Sequence, residues 1–369
     1  MWFFRAHSRK IIYVAFMAAA ISAAFSMALL YSTLSQKPKK TNNLLHRMQQ
    51  YTPKEDKTQF NVLLLGYGGA GHPGGGLADA IILVNINTKT KNVNLISIPR
   101  DSWVELPVRS DQKQFFKINA AYAIGNDDNG YPLKEPVYKG PHGGGNMAKY
   151  AAELITGIPV DYYASIDFSR FEKAIDTLGG VSVDVPVSFS DEYYPIKGEE
   201  NNLCDYSLEE VENFKALYSG FELEKQFKCR YETLSFQKGP TEMDGATALK
   251  FVRSRHSNEH GGDFARGERA QAVLTAAGKK LISLDALSNL DEFYAGFSQI
   301  IKTDITEDGL VEILSYTRDP SQFSLKNINI NENNFLTGST SSDGQSIVIP
   351  KAGIGSWQEV HKFIKSELK

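Results

Sequence analysis

The sequence predicts an α/β domain, with helices packed against a central sheet, behind one N-terminal membrane-spanning helix. Three observations predict it. Short β-rich apolar runs alternate with segments of helical periodicity from residue 59 onward, the pattern of a sheet covered by helices. With 42% hydrophobic and 22% charged residues, a chain of 369 residues can bury a full core and is no disordered tail. Ile11 to Tyr31 is an uncharged apolar run, long enough at 1.5 Å per residue to span about 30 Å of hydrocarbon.

From the N-terminus, WFFRAHSRK carries Arg5, Arg9 and Lys10, which hold residues 1–10 in the cytoplasm, although Lys37, Lys39 and Lys40 beyond the span weaken the asymmetry. The apolar run exceeds the usual signal-peptide core, so residues 11–31 read as an uncleaved anchor. Residues 32–58 are polar and broken by proline, an extracytoplasmic tether.

The domain itself, 59–369, opens with the strands NVLLLG, AIILVNIN and NVNLISIP. MAKYAAELITG reads as a helix, YYASIDF as a strand, FEKAIDTLGG as a helix and VSVDVPV as a strand. Residues 187–240 gather charges, aromatics and both cysteines, and read as an insertion or lid. Asp244 is a plausible N-cap for a short helix. A long helix follows from about Phe264, where Ala270, Val273, Leu274, Ala277, Leu281 and Ile282 recur at helical spacing. A strand, SIVIP, and a helix, SWQEVHKFI, close the chain, and no internal repeat or second domain boundary interrupts it.

The candidates for chemistry are arginines. NVNLISIPRD puts Arg100 and Asp101 at the C-terminal edge of a strand, where ligands of open α/β sheets gather. FVRSRHS sets Arg253 and Arg255 two apart, which in an extended segment projects both guanidinium groups to one side. In GGDFARGERAQ, Asp263 can cap a helix whose first turn holds Arg266, and a cation there opposes the helix dipole unless an anion is bound. Together Arg100, Arg253, Arg255 and Arg266 suit a diphosphate, because guanidinium pairs phosphate oxygens bidentately. Asp79, which ends the stretch GYGGAGHPGGGLAD, could hold the magnesium such an anion brings.

Other patterns are set aside on physical grounds. Gly66, Gly68 and Gly71 spell G-x-G-x-x-G, but HPGGG follows and cannot open the helix a dinucleotide site needs. His256, Glu259 and His260 spell H-x-x-E-H between R-S-R and Gly261-Gly262, a loop context rather than the helical face of a zinc protease. A formal charge of −3 gives no general affinity for nucleic acid. Cys204 and Cys229 allow one disulfide in an oxidising compartment, the expectation for an exported domain.

Taken together, NVLLLG, LADAIILVNIN, LISIPRD, KINAAYA, GIPVDYYASIDF, LGGVSVDVP, MDGATALKFVRSRHS and GDFARGERAQ, in this order across about residues 60–285, resemble the LytR-CpsA-Psr phosphotransferases of bacterial cell envelopes. The resemblance implies a single α-β-α sandwich with a mixed central sheet, single-pass in the cell membrane and facing outward. It implies transfer of a glycopolymer from a polyprenyl-diphosphate carrier to peptidoglycan, an apolar groove for the lipid, and Mg2+ as cofactor. By motif, Arg100, Arg253, Arg255 and Arg266 bind the diphosphate and Asp79 the magnesium; Asp263 orients Arg266 or assists deprotonation of the acceptor, and Asp101 stands beside Arg100 as a further catalytic candidate. A pyrophosphatase or a non-catalytic lipid-diphosphate binder would use the same arginines. This chain departs from the family pattern at Gly68, where a second metal-binding aspartate is expected, at Leu77, where an arginine is expected, and at Ala270, where a glutamine is expected with Gln271 beside it. Asp101 is the residue that could substitute for the missing ligand.

Overall fold

The computed structural model describes residues 51, 57–69, 74–283, 301–317 and 322–369. The anchor expected at 11–31 and most of the tether lie outside them. Among the described residues no helix is long and apolar enough to cross a membrane.

Three strands lay down the centre: β1 (Gln59–Tyr67), β2 (Ala78–Asn87) and β3 (Asn92–Ser97). They pair antiparallel in sequence order. Their side chains alternate between two buried layers. Leu63, Leu65, Ile81, Leu83 and Ile96 join one core, while Phe60, Val62, Ile82, Val84 and Leu95 join the other. A sheet buried on both faces needs such near-continuous apolar strands. On the first face Asn61 lies opposite Asn85 and Asn85 opposite Asn94. Asn85 Nδ2 donates to Asn61 Oδ1 at 2.7 Å and Asn94 Nδ2 to Asn85 Oδ1 at 3.1 Å. A one-residue slip of any strand would strand these buried amides, so the row helps to fix the register.

After β3 comes a hairpin the sequence reading did not assign, β4 (Trp103–Arg109) and β5 (Gln112–Lys117), then α1 (Ala120–Asn126) and α2 (Gly143–Thr156). The periodicity placed the second helix from Met147; it starts four residues earlier, inside a run of glycines. A Cβ on Gly145 would come within 2.1 Å of the Tyr163 ring, and one on Gly143 within 2.5 Å of the Gly125 carbonyl. Close packing selects glycine there in spite of its low helix propensity.

β6 (Tyr162–Asp167) runs parallel to β1. α3 (Phe168–Thr177) follows at once, capped by Asp167, whose side chain accepts from Arg170 N. β7 (Val181–Val185) ends the portion before the expected insertion.

Residues 187–240 are an ordered lobe. β8 (Phe189–Pro195) and β9 (Tyr231–Phe236) pair antiparallel, α4 (Leu208–Leu217) and α5 (Gly220–Glu224) lie between them, and a Cys204–Cys229 disulfide closes the excursion. β10 (Gly239–Met243) returns to β7. α6 (Gly245–Arg253) begins at the expected cap, Asp244 accepting from Thr247 N at 2.8 Å, and α7 (Gly262–Ser283) is the long helix.

The remainder adds β11 (Ile301–Thr303), α8 (Glu307–Tyr316), β12 (Ser324–Asn329), β13 (Leu336–Thr340), β14 (Ser346–Pro350) and α9 (Gln358–Glu367). The central sheet reads β11-β6-β1-β2-β3-β12. β6 with β1 and β3 with β12 are parallel and the other pairs antiparallel. The mixed sheet flanked by helices that the resemblance implied is therefore present, with Met147 and Ile155 of α2 and Val360 and Ile364 of α9 in one core and Leu310 and Leu314 of α8 in the other.

Candidate active site

At the end of β1 the chain turns into β2 through the glycine-rich stretch, and residues 70–73 of it lie outside the described part. Residues 74–77 are turn and bend, so no helix opens there to hold a pyrophosphate. What the stretch borders is a cavity of about 350 Å³. Asp79, Arg100, Arg253, Arg255 and Arg266 all line it, together with Gly68 and Leu77. Sequence separations of up to 187 residues thus close on one space, with four guanidinium groups and one carboxylate on its wall.

Each of them is delivered by a different piece of backbone. Asp79 is the second residue of β2, and Arg100 stands in the turn after β3, where Ser102 N donates to Pro99 O at 3.0 Å. Arg100 Nη1 meets Asp79 Oδ1 at 2.5 Å. Arg253 is the last residue of α6, not part of an extended segment as its spacing suggested. Its guanidinium lies over the Phe168 ring at 5.0 Å, which orients a cation by its attraction to the ring face. Arg255 follows the cap residue Ser254, and Arg266 sits in the second turn of α7 with 7% exposure. The helix begins at Gly262, so Asp263 lies within the first turn rather than at the cap; its side chain is outside the described part. Asp101 turns away from this cavity into a neighbouring one. It forms an ion pair with Lys117 Nζ at 2.8 Å and faces Arg100 Nε at 3.5 Å.

Two buried residues that sequence reasoning missed hold the R-S-R segment. Asp191 of β8 is 1% exposed and accepts from Ser254 Oγ at 2.6 Å, Arg255 N at 2.8 Å and His256 N at 3.0 Å. Burial pushes its carboxyl up, and the hydrogen bonds from Ser254, His256, Tyr193 and Arg255 outweigh this and hold it below the ordinary value. Arg269 of α7 is fully buried and donates to the backbone oxygens of Ser254 and His260. Burial, reinforced by Arg266, lowers its pKa to about 10, and the group remains charged at neutral pH. Arg269 lies three residues after Arg266, on the same side of a helix, and that spacing was a usable signal. Asp191 gave none.

His256 and His260 occupy the loop their flanks predicted. His256 stacks on Phe221 of α5, ring centroids 4.0 Å apart, and His260 Nε2 pairs with Glu268 at 2.9 Å. β8 also brings Tyr194 and Pro195 to the cavity wall, so the lobe read as an insertion supplies part of the site. The rest of the wall includes Ile81, Ile98, Phe168, Val252 and Phe264, an apolar side next to a cationic one. Such a space fits an amphiphile with an anionic head.

Among the described residues no three or more His, Cys, Asp or Glu side chains gather as a metal-binding group. Gly68 contributes no carboxylate, and Asp101 is engaged on the far side of Arg100. The donor set fits magnesium in one manner, with Asp79 as the protein ligand and phosphate oxygens and water completing the shell.

Comparison with known proteins bears on the family and the fold. The sequence model of the LytR_cpsA_psr family matches residues 25–353. A polyisoprenyl-teichoic acid–peptidoglycan teichoic acid transferase TagU of Enterococcus faecalis is 26% identical over 289 residues, 78% of this chain and 75% of that protein. The enzyme of the same class named TagV in Bacillus subtilis is 26% identical over 252 residues, 68% of this chain and 50% of that protein. In structure, the crystal form of B. subtilis TagV aligns with a TM-score of 0.53 at 22% identity, covering 85% of this chain and 98% of that one. Protein gbs0355 of Streptococcus agalactiae aligns with a TM-score of 0.56 at 21% identity, covering 89% and 91%. At these identities the structural likeness speaks for the fold.

Proposed function

Because the chain belongs to the LytR_cpsA_psr family, we propose that it is a membrane-anchored, extracytoplasmic phosphotransferase. It moves a glycopolymer from a polyprenyl-diphosphate carrier to peptidoglycan, the reaction class for which its relatives are named. The observation that carries the proposal is the convergence of Arg100, Arg253, Arg255, Arg266 and Asp79 on one cavity with an apolar side.

The reaction makes one bond and breaks one. An acceptor hydroxyl oxygen bonds to the phosphorus that carries the glycan, the bond from that phosphorus to the bridging oxygen breaks, polyprenyl phosphate leaves with that oxygen and its bonding electron pair, and the hydroxyl proton passes to water. Most of the work is positioning and charge neutralisation. Arg253, held over Phe168, and Arg255, held through Asp191, present preset donors to the phosphate oxygens. Arg100 spans the gap to Asp79 and steadies the leaving phosphate. A magnesium ion on Asp79 and the diphosphate would supply further neutralisation of negative charge.

The test gives the full-length protein in detergent a lipid-diphosphate glycan, magnesium and peptidoglycan. Release of lipid phosphate together with a covalent glycan–peptidoglycan product is the expected result. Release without that product would make the protein a pyrophosphatase, and binding without turnover a lipid-diphosphate binder. Arg100→Ala, Arg253→Ala and Asp79→Ala are each expected to lower kcat/KM by about 100-fold or more; unchanged turnover in all three would remove the site assignment.

A further inference from the structure

A second cavity of about 350 Å³ opens on the other side of Arg100. Arg100 and Leu77 line both cavities. The rest of the second wall includes Asp101 after Arg100, Trp103, Phe115 and Lys117 of the β4–β5 hairpin, and Asp343 and Gln345 of the turn between β13 and β14, with the start of α1 beside them. We propose that this cavity is a subsite for a pyranose ring of an uncharged glycan, on the acceptor side of the transfer. The acceptor assignment rests on the transferase reading above.

Its surface differs in kind from that of the first cavity. Trp103 pairs with Lys117 and Glu105 with Phe115, so Trp103 and Phe115 lie on one face of the hairpin while Val104 is buried on the other. The two rings are parallel to within 16°, with centroids 6.2 Å apart, and Phe115 is 39% exposed. A partly exposed aromatic platform offers the C–H face of a sugar ring an apolar seat with little side-chain entropy to lose.

Charge argues in the same direction. The first cavity sets four arginines against one aspartate, whereas here Arg100 and Lys117 face Asp101 and Asp343. The balance is neutral, and Lys117 is spent on Asp101 at 2.8 Å. Such a wall suits hydroxyl and amide groups, which use carboxylate and amide partners, rather than a phosphate. Gln345 Nε2 donates to Asp343 Oδ2 at 2.6 Å, holding two such groups together at the rim.

The site is braced. Val348 N donates to Asp101 O at 2.9 Å and Val348 bridges to Ser102, tying β14 to the segment that carries Arg100 and Asp101. A ring seated on Trp103 therefore has a fixed relation to Arg100, and one of its hydroxyls can face a phosphorus held in the first cavity. In that position its oxygen becomes the attacking atom of the displacement already described, and its proton passes to water as the new bond to phosphorus forms.

The test uses the full chain and two probes, the β-1,4-linked tetrasaccharide of N-acetylglucosamine for the second cavity and inorganic pyrophosphate for the first. Trp103→Ala is expected to weaken tetrasaccharide binding about three- to tenfold, with Trp103→Phe recovering most of it. Pyrophosphate affinity is expected to stay unchanged in both variants, which also reports an intact fold. In turnover, the acceptor KM rises by the same factor at constant donor KM. Unchanged tetrasaccharide affinity in Trp103→Ala overturns the subsite, and a rise in donor KM in place of acceptor KM overturns its assignment to the acceptor. Arg253→Ala is expected to do the reverse, losing pyrophosphate but keeping the tetrasaccharide. Tetrasaccharide binding that depends on Trp103 in a protein with no transfer activity would remove the transferase reading and leave the sugar site standing.

Discussion

Asp191 lies 64 residues from the arginine whose amide hydrogen bond it accepts, and one buried carboxylate holds the Ser254 hydroxyl and the backbone amides of Arg255 and His256. The arginines themselves were legible in the sequence because motif, strand end and helix start mark them locally. Asp191 was not, since a single aspartate in a charged stretch has no pattern and its importance arises only when β8 packs against the α6–α7 loop. Its pKa is lowered in the fold, so its contribution to stability is complete above the ordinary value of 3.8 and is lost as pH falls through the lowered value. Asp191→Asn is expected to cost about 2 kcal/mol at neutral pH, with the deficit shrinking in strongly acid solution as the wild-type carboxyl protonates. Denaturant midpoints across a pH series measure this; a deficit that stays constant into acid would show that the charge is not what matters.

At the scale of elements, the apolar strands and the amphipathic helices were readable because periodicity reports burial. Elements whose residues answer to distant partners were not. The glycine start of α2 is chosen by Tyr163 and Gly125, and the β4–β5 hairpin contains Pro107 and a register shift between Leu106 and Arg109 that blurs its alternation. The lobe at 187–240 was seen as an insertion, yet β8 reaches the cavity with Tyr194 and Pro195. Its disulfide closes a loop of separation 25, and removing such a cross-link costs about 3 kcal/mol by loop entropy. Cys204→Ser/Cys229→Ser is accordingly expected to raise hydrogen exchange in α4 and α5 and to increase donor KM, with the central sheet still protected. Equal protection of the lobe in wild type and variant would mean that packing alone holds it.

At the scale of the whole molecule, the sandwich and its mixed sheet followed from the resemblance more than from periodicity, which cannot distinguish parallel from antiparallel neighbours. Membrane topology belongs to this scale as well. An alkaline phosphatase fusion after Gln36 is expected to be active, because that position follows the proposed anchor on the outer side; an inactive fusion with normal expression would put the domain on the wrong side of the membrane for its substrate.

The direction of β1 has a mechanical consequence. The chain enters the domain at Gln59, with Lys57 tied to Asp161 at 3.0 Å, and reaches the cavity only at the other end of the strand. Nine residues of strand carry it there, about 30 Å at the usual rise. In the anchored reading the domain hangs from the end opposite its mouth, while its lipid substrate lies in the bilayer at the point of suspension. In that reading a leash at 32–58 would span at most about 95 Å at full extension, enough for the domain to capsize and bring its mouth to the headgroups. Leash length then sets how often enzyme and lipid meet, and shortening it below the height of the domain would starve an otherwise intact site.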